Sequence, residues 1–405
     1  MSVFNFRLFN ARRTDTVRKA KTDIILIILV YVISVFGVFA VTVATFNIYS
    51  DPSAYLFNQI VGSSYGIRQS IFVILSPIVL GILLAFPYEF IRRNVWVLFG
   101  ISIGLLGVAL LGESIAGINA FISIIWGFTI QPAEFAKITL VLALALQLEE
   151  LKDPFTNLKS TLKFLGSVGA PAGITIMQGE MGSTIVMAAI VVAMLFVAGM
   201  PWKRFLTLLL VGFAAMAALV LFWSLVTPDS YRLQRIIALV DPDKASDAAK
   251  YQVNNSLIAI GSGGLAGIGP FKQGSVSQLD YVPKDWTDFI FSAIGETFGF
   301  LGSAGVIVVY ALIIIRLLFL AKHAQDKFSE LIIIGIMTMF LTHVFLNIGM
   351  TIGIVPVVGI PLPFLSYGGS NMFTNMIGIG LVLNVTKNIR LTESNYDSRY
   401  IEKNL

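Results

Sequence analysis

The 405-residue chain has no cysteine and only two histidines, His323 and His343. Disulfides, thiolate chemistry and histidine-rich zinc sites are thereby excluded, and any catalysis must rest on carboxylates, hydroxyls, lysine or arginine. Charge is also scarce. Only 13% of residues are charged against 56% hydrophobic, and the mean hydropathy is +0.84. That balance is far from the mix of a soluble domain and belongs to a membrane protein. A removable signal peptide is lacking too. The opening stretch "MSVFNFRLFNARRTDTVRKAKTD" is basic but holds no apolar core or small-residue cleavage site, so the first apolar run is expected to stay as an anchor.

What is present is a succession of apolar runs, and a spanning helix needs roughly 20 apolar residues to cross a bilayer core. Runs fall near 24–46, 70–86, 95–111, 133–148, 164–177, 183–200, 205–226, 296–321, 331–354 and 366–385. The expected fold is all-α, a polytopic integral membrane protein of about ten transmembrane helices without a separate soluble domain. The fifth and sixth runs are short, and "QGEMG" between them points to a hairpin that does not fully reach the far surface. Placing the N-terminus inside gathers most of the 28 lysines and arginines on the inner side, among them Arg12, Arg92, Lys159, Arg204, Arg316 and Arg390. Both termini are therefore expected in the cytoplasm, with Arg68 alone in a short outer loop. The parts are a cytoplasmic N-terminus (1–23), helices 1–7 (24–226), a long extracytoplasmic loop between helices 7 and 8 (227–288), a membrane-surface segment with helices 8–10 (289–388) and a cytoplasmic tail (389–405). The inner basic residues account for the net charge of +5, so no nucleic-acid partner is needed to explain it.

A polar excursion as long as 227–288 is more often functional than idle. Its "GSGGLAGIGPFKQG" lacks the GxxxxGK[ST] pattern and is read as tight turns on the membrane surface, not as a nucleotide site. No internal repeat is evident, which weighs against duplicated transporter halves. The informative charges are those where a bilayer disfavours them. Glu134 and Lys137 in "QPAEFAKITL" are three apart and share a helix face, either as a structural ion pair or lining a polar cavity. Glu180 in "QGEMGST" stands at the outer end of a neighbouring helix. In "VPKDWTDFIFSAIGE", Asp285, Thr287 or Asp288 can each cap the following helix, and Glu296 lies beside the same apolar run. A partly desolvated carboxylate next to Trp286 and Phe289 gains proton affinity and suits general-base work near neutral pH. Paired carboxylates also handle glycosidic bonds, although a proton-coupled transporter explains the same charges nearly as well. Further on, "NIGMTIGIVPVVGIPLPFLSYGGSN" interrupts two helices with prolines and glycines, and such broken backbone at membrane depth needs protein or a polar cavity around it.

These strings closely resemble the signature of the SEDS family (shape, elongation, division and sporulation), polytopic peptidoglycan glycosyltransferases. "QPAEFAK", "QGEMGST", "YQVNNSLIAIGSGGLAGIG", "TDFIFSAIGETFGFLG" and "GMTIGIVPVVGIPLPFLSYGGSN" occur in the family's order and spacing. "NIGMTIG" with "GIPLPFLSYGGS" is more similar to the RodA elongation branch than to the FtsW division branch. The resemblance implies that Asp288 is the catalytic residue and that Glu134, Lys137 and Glu180 belong to a polar substrate cavity. It further implies lipid II as substrate and a class B penicillin-binding protein as partner. On physical grounds, Arg232 and Arg235 in "YRLQR" are candidates to gather the diphosphate at the rim, against plain solvation of exposed arginines, and Ser366 in the broken stretch is a further substrate-binding candidate. A divalent cation, magnesium or manganese, is an accompanying expectation. A lipid II flippase and a cell-wall scaffold are the competing classes. The chain departs from the family pattern at Trp286, where a histidine is usual, and at Lys284, Asp285, Gly179, Glu180 and Thr297.

Overall fold

The computed structural model of the protein describes residues 22–45, 64–112, 120–123, 129–151, 153–226, 231–241, 246–272, 274–279 and 281–387. The expectations for the basic N-terminus and the C-terminal tail fall outside the described residues. The fold is all-α, as expected: α1 (Ile24–Ala44), α2 (Ser64–Ala85), α3 (Tyr88–Arg93), α4 (Val95–Leu110), α5 (Pro132–Glu150), α6 (Leu158–Gln178), α7 (Met181–Ala198), α8 (Trp202–Val226), α9 (Tyr231–Val240), α10 (Asp247–Gly263), α11 (Ile290–Lys322), α12 (Lys327–Thr351) and α13 (Gly369–Thr386). Among the described residues the only strands are a two-residue antiparallel pair, Ile122–Ser123 with Thr129–Ile130.

Helices dominate because lipid offers no hydrogen-bond partners, so each spanning segment must satisfy its own backbone. Five of them, α1, α2, α7, α11 and α12, are long and apolar enough to cross a membrane by length and composition. All ten expected runs form helices, with boundaries that shift for identifiable reasons. α2 begins at Ser64, which places Arg68 in its second turn and not in a loop. α6 begins at Leu158, earlier than its apolar run, because Asn157 accepts a hydrogen bond from Ser160 N at 2.9 Å and so caps a first turn that is polar in sequence. The segment 227–288 contains α9 and α10 as well as turns.

The centre of the bundle is α12, which packs against α5, α7 and α11 and buries Phe328, Ile332, Ile336, Met339 and Phe340. α11 starts six residues before the expected 296 and is broken at Gly299 (φ 64°, ψ −159°). The glycine-rich stretch after α10 fills this break. Ile268 N and Gly269 N donate to Glu296 O (3.0 Å) and Thr297 O (3.1 Å), while Phe300 N and Leu301 N donate to Gly264 O (2.9 Å) and Leu265 O (3.1 Å). An interrupted helix is tolerable only when its freed amides and carbonyls find such substitutes. The expected turns are there, with positive φ at Gly264, Gly267 and Gly269, and they complete a neighbouring helix.

Candidate active site

Residues 284–289 form a turn that delivers the chain into α11. Lys284 adopts a left-handed conformation (φ 61°), and its carbonyl accepts from Thr287 N (3.0 Å) and Phe289 N (3.3 Å). The N-cap of α11 is Phe289, with no side-chain cap, so the expected capping by Asp285, Thr287 or Asp288 does not form. The turn is held from outside instead. Tyr367 N donates to Trp286 O (2.9 Å), Ser366 Oγ to Thr287 O (2.6 Å) and Asn347 Nδ2 to Asp288 O (2.8 Å). Three successive carbonyls are thus anchored by α12 and by the broken segment between α12 and α13, which leaves the Asp288 side chain unused by the scaffold of the turn.

Asp288 is half-buried. Burial raises its carboxyl above the usual carboxylate range, and the nearby cations Lys284 and Arg235 partly oppose that rise. The broken segment approaches closely here, since a Cβ placed on Gly359 would stand 3.4 Å from Asp288 Oδ2. Trp286 packs against the Tyr65 ring with centroids 5.4 Å apart.

A second polar group lies on α5. Gln131, Glu134 and Lys137 follow each other at three-residue steps along one face. Lys137 Nζ donates to Glu134 Oε1 at 2.6 Å, with both side chains at most 2% exposed, so the expected pair forms. The same ammonium donates to His343 Nε2 at 2.8 Å. Gln131 Nε2 donates to Glu180 Oε1 at 2.5 Å, which brings Glu180, between α6 and α7, to this group. Glu134 Oε2 and Glu180 Oε2 are buried without a hydrogen-bond partner, and Lys137 retains one N–H uncommitted among the described residues. Buried charges of this kind face a cavity or a partner, because desolvation costs several kcal/mol per ion otherwise.

The structure brings Arg235 close enough to Asp288 to act on its charge. Arg232 is on α9 too, and its side chain lies outside the described residues. Glu296 is not beside Asp288 as an acid partner. It is 1% exposed, and its carboxylate accepts from Val276 N (2.6 Å), Ser277 N (3.0 Å) and Ser277 Oγ (2.5 Å), fastening the 274–279 turn to α11. Ser366 is fully buried, and its hydroxyl both donates to Thr287 O and accepts from Leu362 N at 2.7 Å. His343 and Asn347 were not among the expected site residues. For His343 a signal is present in the sequence, since an ionisable residue inside an apolar helix is a functional candidate; Asn347 carries no such mark.

Among the described residues no group of three or more histidine or carboxylate side chains gathers to hold a metal ion, and the neighbours of Asp288 are cations.

Residues 23–391 match the family model described as cell cycle protein, which groups FtsW, RodA and SpoVE. The chain belongs to that family. It is 37% identical over 258 residues to the peptidoglycan glycosyltransferase MrdB of Escherichia coli K12, covering 63% of this chain and 67% of that one. It is 33% identical over 305 residues to a probable peptidoglycan glycosyltransferase FtsW of Thiomicrospira cyclica, covering 74% and 76%. Of solved structures, one described as a peptidoglycan synthase complex coordinating polymerization and crosslinking matches with a TM-score of 0.73 at 28% identity, covering 92% of this chain and 99% of that one. The rod shape determining protein RodA of Thermus thermophilus matches with a TM-score of 0.65 at 26% identity, covering 92% and 98%.

Proposed function

We propose that the chain is a peptidoglycan glycosyltransferase that polymerises lipid II at the outer face of the cytoplasmic membrane during cell elongation. The observation that carries this reading is Asp288: a carboxylate of raised proton affinity, left unused by the turn that presents it, beside two cations. Its carboxylate accepts the proton of the acceptor sugar's 4-hydroxyl while that oxygen bonds to C1 of the donor. The C1–O bond to the lipid diphosphate breaks with inversion, and the bond pair leaves on the diphosphate. That leaving group needs positive charge. Arg235 and Lys284 supply it near Asp288, and Lys137 offers its remaining N–H from the buried group. Glu134 and Glu180 each keep one buried oxygen without a hydrogen-bond partner for a substrate polar group, and Ser366 positions the turn through Thr287 O.

The elongation reading rests on the similarity of "NIGMTIG" and "GIPLPFLSYGGS" to the RodA branch. A class B penicillin-binding protein is the proposed partner, which the synthase-complex neighbour supports. The direct test is strand synthesis from purified lipid II by the protein in liposomes, with and without that partner. Long glycan strands support the reading, whereas lipid II translocation without strands would replace it with flipping.

The acid side of the pH profile tests the base. Asp288 works unprotonated, so kcat/KM falls as pH drops through its raised pKa, at higher pH than an ordinary carboxylate would give. Lys284 lowers that pKa, so Lys284→Asn, which tolerates the left-handed backbone, should move the acid limb to higher pH. A limb that stays in place would show that Lys284 does not act on the titrating group.

A further inference from the structure

α12 carries His343 and Asn347 four residues apart and therefore on one face. Both are buried, at 1% and 0% exposure. Asn347 Nδ2 holds Asp288 O at 2.8 Å and Ile360 O at 2.7 Å. One turn away, His343 Nδ1 lies 2.7 Å from Met339 O and His343 Nε2 lies 2.8 Å from Lys137 Nζ. A backbone carbonyl can only accept, so the Nδ1 nitrogen carries the proton. An ammonium can only donate, so Nε2 presents its lone pair. Glu134 takes a second N–H of the same ammonium at 2.6 Å. Two of three N–H directions are thus fixed from two different helices, and the third is determined by them.

The geometry points to His343 as a positioning residue that aims the Lys137 ammonium. Resting on the glycosyltransferase reading above, the target is the departing diphosphate, and α12 ties that aim to the base through Asn347. A lysine held by Glu134 alone would swing on its flexible four-carbon stem toward its carboxylate and lose the fixed third direction. One rigid helix that holds both Asp288 and Lys137 gives the two reacting ends a common frame.

The test compares His343→Gln with His343→Met, two unbranched side chains of similar size of which only glutamine keeps a strong acceptor. Lipid II polymerisation is measured in liposomes with the class B partner, together with thermal unfolding. His343→Met should lower kcat about 10- to 100-fold, the size of one hydrogen bond to a charged group, with KM little changed. His343→Gln should recover most of that loss. In a Lys137→Met background, His343→Met should cost nothing further in kcat, because the histidine acts through the lysine. Equal kcat for the two variants, or full additivity with Lys137→Met, would overturn the inference while leaving the polymerase reading intact. Absence of strands from the wild-type protein would overturn both.

Discussion

Asp288→Asn should abolish glycan-strand synthesis, with a loss of about 10²- to 10⁴-fold, the usual contribution of a positioned general base. Asparagine has the same shape but no lone pair basic enough to take the acceptor's proton. The turn should survive the change, because it is held through the carbonyls of Trp286, Thr287 and Asp288 and not through the aspartate side chain. Losing the negative charge also removes the desolvation cost that raises the Asp288 pKa, so the variant should unfold no earlier than the wild type. The measurement is product length and yield from lipid II, alongside thermal unfolding and co-purification with the proposed transpeptidase partner. A folded, partner-binding Asp288→Asn protein that makes strands at the wild-type rate would remove Asp288 from the chemistry. The family assignment would stand, and the base would have to be sought among the other buried carboxylates, such as Glu134 and Glu180.

Gly267→Ala should be a severely damaging methyl addition outside the site. The residue sits at φ 84°, and its new Cβ would lie 2.1 Å from Thr297 O and 2.5 Å from Thr297 C. Both contacts are to backbone, so no side-chain rotation relieves them. The Gly269 N to Thr297 O hydrogen bond, part of the filling of the α11 break, shares the same carbonyl. Strain of this kind costs on the order of 3 kcal/mol or more, and it falls on the part of α11 that follows Asp288. Gly261→Ala is the matched control. That glycine lies within α10 with nothing inside 4 Å of a new Cβ, so alanine there should be neutral or stabilising by a few tenths of a kcal/mol. Thermal unfolding in detergent, read with expression level, separates the two. A Gly267→Ala protein as stable as wild type would mean that the glycine-rich stretch does not fill the break as described.

Much of this protein was legible in its sequence because membrane and chemistry both write in composition. Apolar runs identify helices since lipid forces each to satisfy its own backbone. Glu134 and Lys137 announce their pairing by a three-residue spacing, and Asp288 stands out as a carboxylate in an apolar neighbourhood. Only the tertiary structure decided which polar groups gather near Asp288 and Lys137 and which fasten the scaffold. Glu296 is close to Asp288 in sequence, yet it fastens a turn from within α11. His343 is 206 residues from Lys137 and yet accepts a hydrogen bond from its ammonium, and Ser366 reaches Thr287 across 79 residues. Local spacing determines what shares a helix face, because the helical repeat is fixed. Which faces meet depends on how the helices pack, and for contacts so distant along the chain no local pattern carries that information.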